Sequence, residues 1–131
     1  MDLIRNGSYN FYKHIAKLFY AVAFIDGNVR PEEIEAFKQT FREEWLKKYT
    51  DKEGIGQIFK EFTILHTQER DADESFYEFV GYKREYENLF TNTLRNILWK
   101  VSCVIADRVH KKNKSELILL VHLGKELGIV K

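Results

Sequence analysis

Four acidic residues beside two predicted turns are the side chains of this chain best suited to chemistry. Asp26 ends one apolar helical stretch and Glu33 opens the next, and Asp107 and Glu116 repeat this arrangement nearer the C-terminal end. Carboxylate oxygens are the ligands that Ca²⁺ and Mg²⁺ prefer, and they also cap free backbone N–H groups at helix starts. Both roles stay open for Asp26, because a negative charge at a helix C-terminus opposes the helix dipole and needs compensation.

Several other kinds of site are excluded by residue type and spacing. A calcium loop of the EF-hand type that began at Asp26 would need an oxygen ligand at Arg30, glycine at Pro31 and glutamate at Phe37. The four histidines lie far apart, without the spacing of a zinc site. Cys103 is the only cysteine and sits in an apolar run, which favours an inert packed thiol in a reducing compartment.

A basic run near the C-terminal end has two interpretations. It is either a solvated turn or a contact for an anionic lipid surface or an acidic partner, and it is too short to indicate a nucleic-acid site. The net charge of the chain is +1, so no overall field attracts nucleic acid. The charges are nevertheless unevenly spread, with residues 51–90 carrying ten acidic and five basic side chains and residues 91–131 three acidic and eight basic ones. The run comprises Arg108, His110, Lys111, Lys112 and Lys114.

The elements that position these residues are predicted to be helices throughout. Apolar residues recur at helical spacing, as in Phe11, Ile15 and Leu18 of a first, central helix, and no stretch alternates as a strand would. This helix should stop at Asp26-Gly27, and a second should begin at Pro31, the only proline.

The remaining helices follow from breaks and caps. A break is expected near Lys52-Glu53, flanked by Gly54 and Gly56, and Asp71 or Asp73 should cap the fourth helix. A fifth helix is predicted over 91–105, and the last should close near Gly128. The apolar stripe expected to bury the last helix comprises Leu117, Leu120, Val121, Gly124 and Leu127.

An internal repeat links the two acidic turns. In both segments an apolar helix ends in an aspartate, a short turn with one valine follows, and the next helix carries a glutamate and then an aliphatic residue. The segment 19–34, with its helix–turn signature Asp26, Gly27, Pro31 and Glu33, resembles the TerB-like family, named for a tellurite-resistance protein. The segment 120–129 is similar to the terminal helix of that family.

The resemblance implies a fold, a site and a cellular context. It implies an all-α, single-domain bundle over residues 1–131, with about six helices in two pseudo-symmetric hairpins. It also implies acidic residues that bind a divalent cation, Ca²⁺ or Mg²⁺, and an association with stress response and membrane-linked complexes. The metal ligands would be Asp26, Glu33, Asp107 and Glu116, although Arg108 stands where the family has glycine and a basic insertion follows it.

These observations favour a cytoplasmic protein without a membrane span. The interpretation we prefer is a non-enzymatic interaction or scaffolding module that binds a protein partner, with peripheral membrane association as one form of it. The alternative is a small enzyme or ligand-binding protein that uses a carboxylate cluster inside the bundle. We prefer the module because carboxylates at turns are normally open to water, whereas a catalytic site needs titratable groups in unequal environments.

Overall fold

The first helix forms the axis of the fold. In the computed structural model α1 (Asp2–Phe24) has nine consecutive buried residues, from Ile15 to Ala23. A helix that is buried on all sides must be surrounded by other elements, and α1 packs against four of the helices that follow it. The prediction of a central first helix is therefore confirmed. Its last helical residue is Phe24, and the predicted stop at Asp26-Gly27 lies outside the described residues.

The fold is an all-α bundle, as the sequence predicts. The structure describes residues 2–25, 29–109 and 114–129, and for residues 2–8 and 107–109 it describes the backbone only. Within these residues there are six α-helices, a single 3-10 turn and no strand. After α1 come α2 (Pro31–Lys48), α3 (Lys52–Thr67), α4 (Ala72–Glu85), the 3-10 turn Glu87–Leu89, α5 (Asn92–Val109) and α6 (Lys114–Glu126).

Local signals set the starts of three helices. Pro31 is the first residue of α2, and Asp71 caps α4 by accepting a 2.8 Å hydrogen bond from the Glu74 backbone N–H. Both agree with the sequence predictions. The break before α3 lies earlier than predicted, because Asp51 caps this helix by accepting a hydrogen bond from the Gly54 N–H at 2.9 Å.

The two glycines expected to flank that break are instead helical. Gly54 is buried in the first turn of α3, where a Cβ would collide with Asp51 Oδ2 and lie 2.8 Å from the Tyr12 ring. Gly56 is exposed, with nothing within 4 Å of the Cβ position. Gly54 is thus required by the close approach of α1 to the Asp51 cap, rather than by the end of a helix.

Aromatic rings fill the core between α1, α2 and α3. Phe19 of α1 contacts Phe37 and Phe41 of α2 edge-on, with ring centroids 5.8 and 5.0 Å apart. Phe62 of α3 completes the cluster at 5.1 Å from Phe37. Such edge-to-face pairs each add about 0.5–1.5 kcal/mol of stability beyond the contribution of the area they bury.

None of the described helices has the length and apolar character needed to cross a membrane.

The last helix is rotated relative to the prediction. Leu119, Leu120 and Leu123 face the core, whereas Leu117 and Val121 are exposed. Leu117 and Val121 were predicted to be buried, and this prediction is wrong because nearly every position from 117 to 123 is apolar, so spacing alone does not choose the inner face. Gly128 closes the helix with φ +75°, as predicted.

Candidate protein-binding surface on α6

The side of α6 turned to solvent is apolar and basic. Leu117, Ile118 and Val121 are 46, 50 and 45% exposed, and Lys114 and Lys125 flank them along the helix. The two glutamates of α6 do not belong to this surface, since Glu116 is buried and Glu126 is turned towards α4. We call this surface the outer face of α6; it comprises Lys114, Leu117, Ile118, Val121, His122 and Lys125.

A cleft of about 310 Å³ adjoins the outer face. Phe76 forms its buried apolar part, and Tyr77, which is 67% exposed, stands at its edge. His122 and Lys125 belong to both features, so the cleft and the outer face are continuous. The cleft lies between α4 and α6 and is lined by Phe76, Tyr77, Val80, Arg84, His122, Lys125 and Glu126.

An ion-pair cluster joins α4 and α6 at one end of the cleft. Arg84 binds the Glu126 carboxylate with two parallel hydrogen bonds, Nε to Oε2 and Nη2 to Oε1, both 2.9 Å long. Lys83, a buried lysine of α4, donates to Glu126 Oε2 at 3.3 Å and also forms an ion pair with Glu87. The bidentate geometry fixes the orientation of both helices at this point.

These contacts favour the ionised forms of Arg84 and Glu126. The hydrogen bond from Arg84 holds the pKa of Glu126 below its usual value, against the opposing effect of burial, and Lys83 adds to the lowering. The same hydrogen bond raises the pKa of Arg84. A carboxylate that stays ionised near neutral pH is a poor general acid or base, because proton transfer needs a pKa close to the working pH.

Two of the four predicted metal ligands are described with their side chains. Glu33 and Glu116 are each the third residue of their helices, α2 and α6, and only 6 and 1% exposed. The expectation that water reaches such turn carboxylates is wrong for this pair, because the first turns of both helices are packed into the bundle. Both glutamates of the internal repeat are therefore buried at the third position of a helix.

Glu33 stabilises the start of its own helix. Its Oε1 accepts a 2.8 Å hydrogen bond from the Arg30 backbone N–H, one half of a capping box. Arg30 Nε lies 3.4 Å from the same oxygen. The second oxygen, Oε2, is buried and accepts no hydrogen bond from the described residues. A buried oxygen without a hydrogen bond lowers stability by about 1–3 kcal/mol. Oε2 is therefore available as a ligand atom.

The other members of the predicted site cannot be added to this geometry. Asp26 and Gly27 lie outside the described residues, and Asp107 is described only as backbone in the last part of α5. Among the residues described with their side chains, no three His, Cys, Asp or Glu groups lie close enough to hold a metal ion. The four-carboxylate metal site remains a prediction.

The predicted basic surface is described only in part. Lys114 is exposed at the start of α6, and Arg108 belongs to α5 with its backbone alone described. His110, Lys111 and Lys112 lie outside the described residues. Lys114 thereby connects the basic run of the sequence to the outer face of α6.

A second cleft, of about 550 Å³, lies where the end of α1 meets the turn between α3 and α4. Its rim includes Glu69, Asp71 and Asp73, and Arg70 is held by a 2.6 Å hydrogen bond from the Tyr20 hydroxyl to its carbonyl oxygen. Asp71 is committed to capping α4. This cleft is acidic and open to solvent, in contrast to the apolar and basic surface on α6.

The cleft between α4 and α6 was not anticipated from the sequence. The sequence gives two interpretations of Tyr77, Tyr82, Tyr86 and Phe90, a stacking surface or packing in the core, and their helical spacing favours packing. Tyr82 and Phe90 do pack, with the Tyr82 ring stacked on His14 at 4.2 Å. Tyr77 and Tyr86 are exposed instead. The signal that could have revealed the surface is the excess of apolar residues in α6, more than one buried helix face can accommodate.

Comparison with known proteins adds no family assignment: no family model, curated protein or solved structure matches this chain.

Proposed function

We propose that this protein is a non-enzymatic interaction module of the TerB-like kind that binds a protein partner through the outer face of α6. The observation that carries the proposal is the exposure of Leu117, Ile118 and Val121 side by side on one helix. Exposed apolar patches bordered by polar residues are typical of protein interaction sites, because leaving them in water costs free energy that a partner recovers.

The chemistry of the clefts also supports a binding role. At the end of the cleft, Lys83 and Arg84 are neutralised by two carboxylates, those of Glu87 and Glu126. A stable ion pair of this kind orients helices, whereas an acid–base catalyst needs a group whose proton is easily exchanged. An association with stress response follows from the resemblance to TerB-like proteins and is part of the proposal.

Site-specific cross-linking tests the binding surface. A photo-reactive benzoylphenylalanine placed at Val121 should yield covalent adducts with another protein in the native host. The same residue placed at Ile64, an exposed aliphatic position on α3 (37% exposed, against 45% for Val121), is the control. Adducts at Ile64 but not at Val121 would locate the partner elsewhere and contradict the proposal.

A second candidate function is the binding of a divalent cation, Ca²⁺ or Mg²⁺, by the turn carboxylates. The buried Oε2 of Glu33, without a hydrogen bond from the described residues, favours it, because an ionised oxygen shielded from water is stabilised by a cation. Calorimetric titration with Ca²⁺, Mg²⁺ and Mn²⁺ tests it. A binding signal that Glu33→Gln abolishes would support it, and no signal in the parent protein would contradict it.

The alternative, an enzyme or ligand-binding protein with a carboxylate cluster inside the bundle, would use the same buried glutamates. It would need a titratable partner close to Glu33 or Glu116 and an enclosed space for a substrate. The two clefts described above open to solvent away from Glu33 and Glu116, which line neither of them. We therefore favour the interaction module.

A further inference from the structure

The charge on the outer face of α6 has one sign. The exposed residues of this helix include Lys114 and Lys125 and no acidic residue. Lys125 forms no ion pair with any described side chain, whereas the nearby Glu126 is already neutralised by Lys83 and Arg84. On α6, a ligand that carries negative charge therefore meets two lysines and no uncompensated carboxylate. Charge complementarity of this kind favours the correct partner at an interface.

The apolar residues on this face have the dimensions of a helix-binding surface. Leu117, Ile118 and Val121 fall between the two lysines, and the distance from Lys114 to Lys125 along the helix is about 16 Å at 1.5 Å per residue. A partner helix of about three turns would cover this length. Its apolar residues would recur at three- and four-residue spacing, and its acidic residues would lie towards both ends.

The cleft beside the face distinguishes a protein segment from a lipid surface. Its apolar floor at Phe76 and its edge at Tyr77 form a concave space of about 310 Å³ that can receive one large side chain. Interface anchors of this kind occupy pockets and contribute most of the binding free energy. A membrane surface favours a projecting apolar face instead, because headgroups offer no side chain that fills a cleft.

From these three observations we infer that the outer face of α6, together with the cleft between α4 and α6, binds an acidic amphipathic helix of a partner protein. The inference deepens the proposed function and depends on it, since it states the chemistry of the partner. One large apolar side chain of that helix would enter the cleft beside Tyr77, and its carboxylates would pair with Lys114 and Lys125.

Fluorescence anisotropy with designed peptides tests the inference. The probe is a labelled helical peptide of about 14 residues, with leucines at three- and four-residue spacing and glutamates at both ends. The comparison peptide carries lysine in place of each glutamate. We expect the acidic peptide to bind at least ~10-fold more tightly and to weaken as salt is added, because the lysines of the face attract it.

Matched variants locate the binding. Val121→Glu places a negative charge in the centre of the face, and Lys125→Glu reverses a charge at its edge without touching the core. Each should weaken the acidic peptide by ~10-fold or more, whereas Ile64→Glu on α3 should leave its affinity unchanged. Circular dichroism of each variant verifies the fold, and Lys125→Glu keeps the test valid if Val121→Glu is unstable.

Other results would overturn the inference. Equal binding of the two peptides would mean that the surface does not discriminate between ligands by charge. Binding that Lys125→Glu and Val121→Glu leave unchanged would mean that this surface is not the binding site. Absence of peptide binding together with binding to vesicles of phosphatidylcholine and phosphatidylserine would identify a membrane-surface helix. Adducts at Val121 in the cross-linking experiment without peptide binding would retain the interaction module and reject the acidic helix as its partner.

Discussion

Lys83 of α4 and Glu126 of α6 form an ion pair 3.3 Å long, although they lie 43 residues apart in the chain. Both side chains are largely buried, at 7 and 12% exposure. Arg84 contacts the same carboxylate from the solvent side. The pair therefore links the two helices that border the cleft, and the shape of the proposed binding surface depends on it.

Removal of Glu126 should destabilise the fold. Glu126→Ala leaves the buried Lys83 ammonium with Glu87 as its remaining partner, and we expect a loss of about 2 kcal/mol. This is below the ~3–5 kcal/mol measured for fully enclosed pairs, because Glu87 and nearby water still stabilise the charge. Urea denaturation measures the change. Glu44→Ala is the control, since the partners of Glu44, Lys47 and Lys100, are both exposed and the loss should be smaller.

Acid should weaken this link between α4 and α6. The pKa of Glu126 is lowered in the folded protein, chiefly by the hydrogen bond from Arg84. Its contribution to stability is complete above the unfolded value near 4.5 and is lost as the pH falls through the folded value. In urea titrations between about pH 7 and pH 3.5, Glu126→Gln should lose less stability than the parent. An equal decrease in the free energy of unfolding with falling pH in both proteins would contradict this prediction.

His14 should add a second pH dependence in a milder range. Its ring is stacked on Tyr82, and burial is the main reason why its pKa is lowered from 6.5. The unfolded chain therefore binds a proton at higher pH than the folded protein, so stability is complete above about pH 6.5 and decreases below it. His14→Phe keeps the stacked ring without the titration. Thermal melts at pH 7.5 and about pH 5.5 should differ less for this variant than for the parent.

Two glycines of α3 should respond to alanine with opposite signs. At Gly54 the added methyl group would displace the Asp51 cap and press on Tyr12, at a cost of about 1–2 kcal/mol. Gly56 is in the same helix with open space around its Cβ position, so Gly56→Ala should stabilise the protein by about 0.5–1 kcal/mol. Urea denaturation measures the free energy of unfolding of the two variants. A stabilising Gly54→Ala would contradict the packing described for α1 and α3.

The effect of Ca²⁺ on stability distinguishes the two possible roles of Asp26, helix cap and metal ligand. As a helix cap, Asp26→Ala should lose about 0.5–2 kcal/mol with or without Ca²⁺, and Asp26→Asn should lose less because an amide oxygen still accepts hydrogen bonds. We expect this pattern. A melting temperature that rises with millimolar Ca²⁺ in the parent and stays constant in Asp26→Asn would show that Asp26 is a ligand instead.

The sequence predicts the fold better than it predicts the surface. Pro31 at the start of α2 and the Asp71 cap of α4 are confirmed because each depends on the preference of one residue for one backbone position. The inner face of α6 is different. With apolar residues at most positions from 117 to 123, several rotations of the helix would bury a continuous stripe, and only packing against α1 and α5 selects one of them.

The same reasoning explains the buried glutamates. Glu33 and Glu116 are readily recognised as charged residues in the first turn of a helix, where water is normally available. Their burial depends on how closely neighbouring helices approach, which no local pattern records. The equivalence of the two positions is nevertheless visible in the repeat, and superposition of α1–α2 on α5–α6 would test the predicted pseudo-symmetry.

The burial of α1 from Ile15 to Ala23 has a consequence for biosynthesis. A ribosome delivers this helix before any of the elements that cover it, and its two most extensive neighbours, α3 and α4, are complete only after Glu85 has been added. Until then the stretch from Ile15 to Ala23, which is apolar except for Lys17, has too few partners to cover it. Nascent chains shorter than this should therefore be substrates for chaperones that hold apolar helices, and release from them should coincide with the emergence of α4.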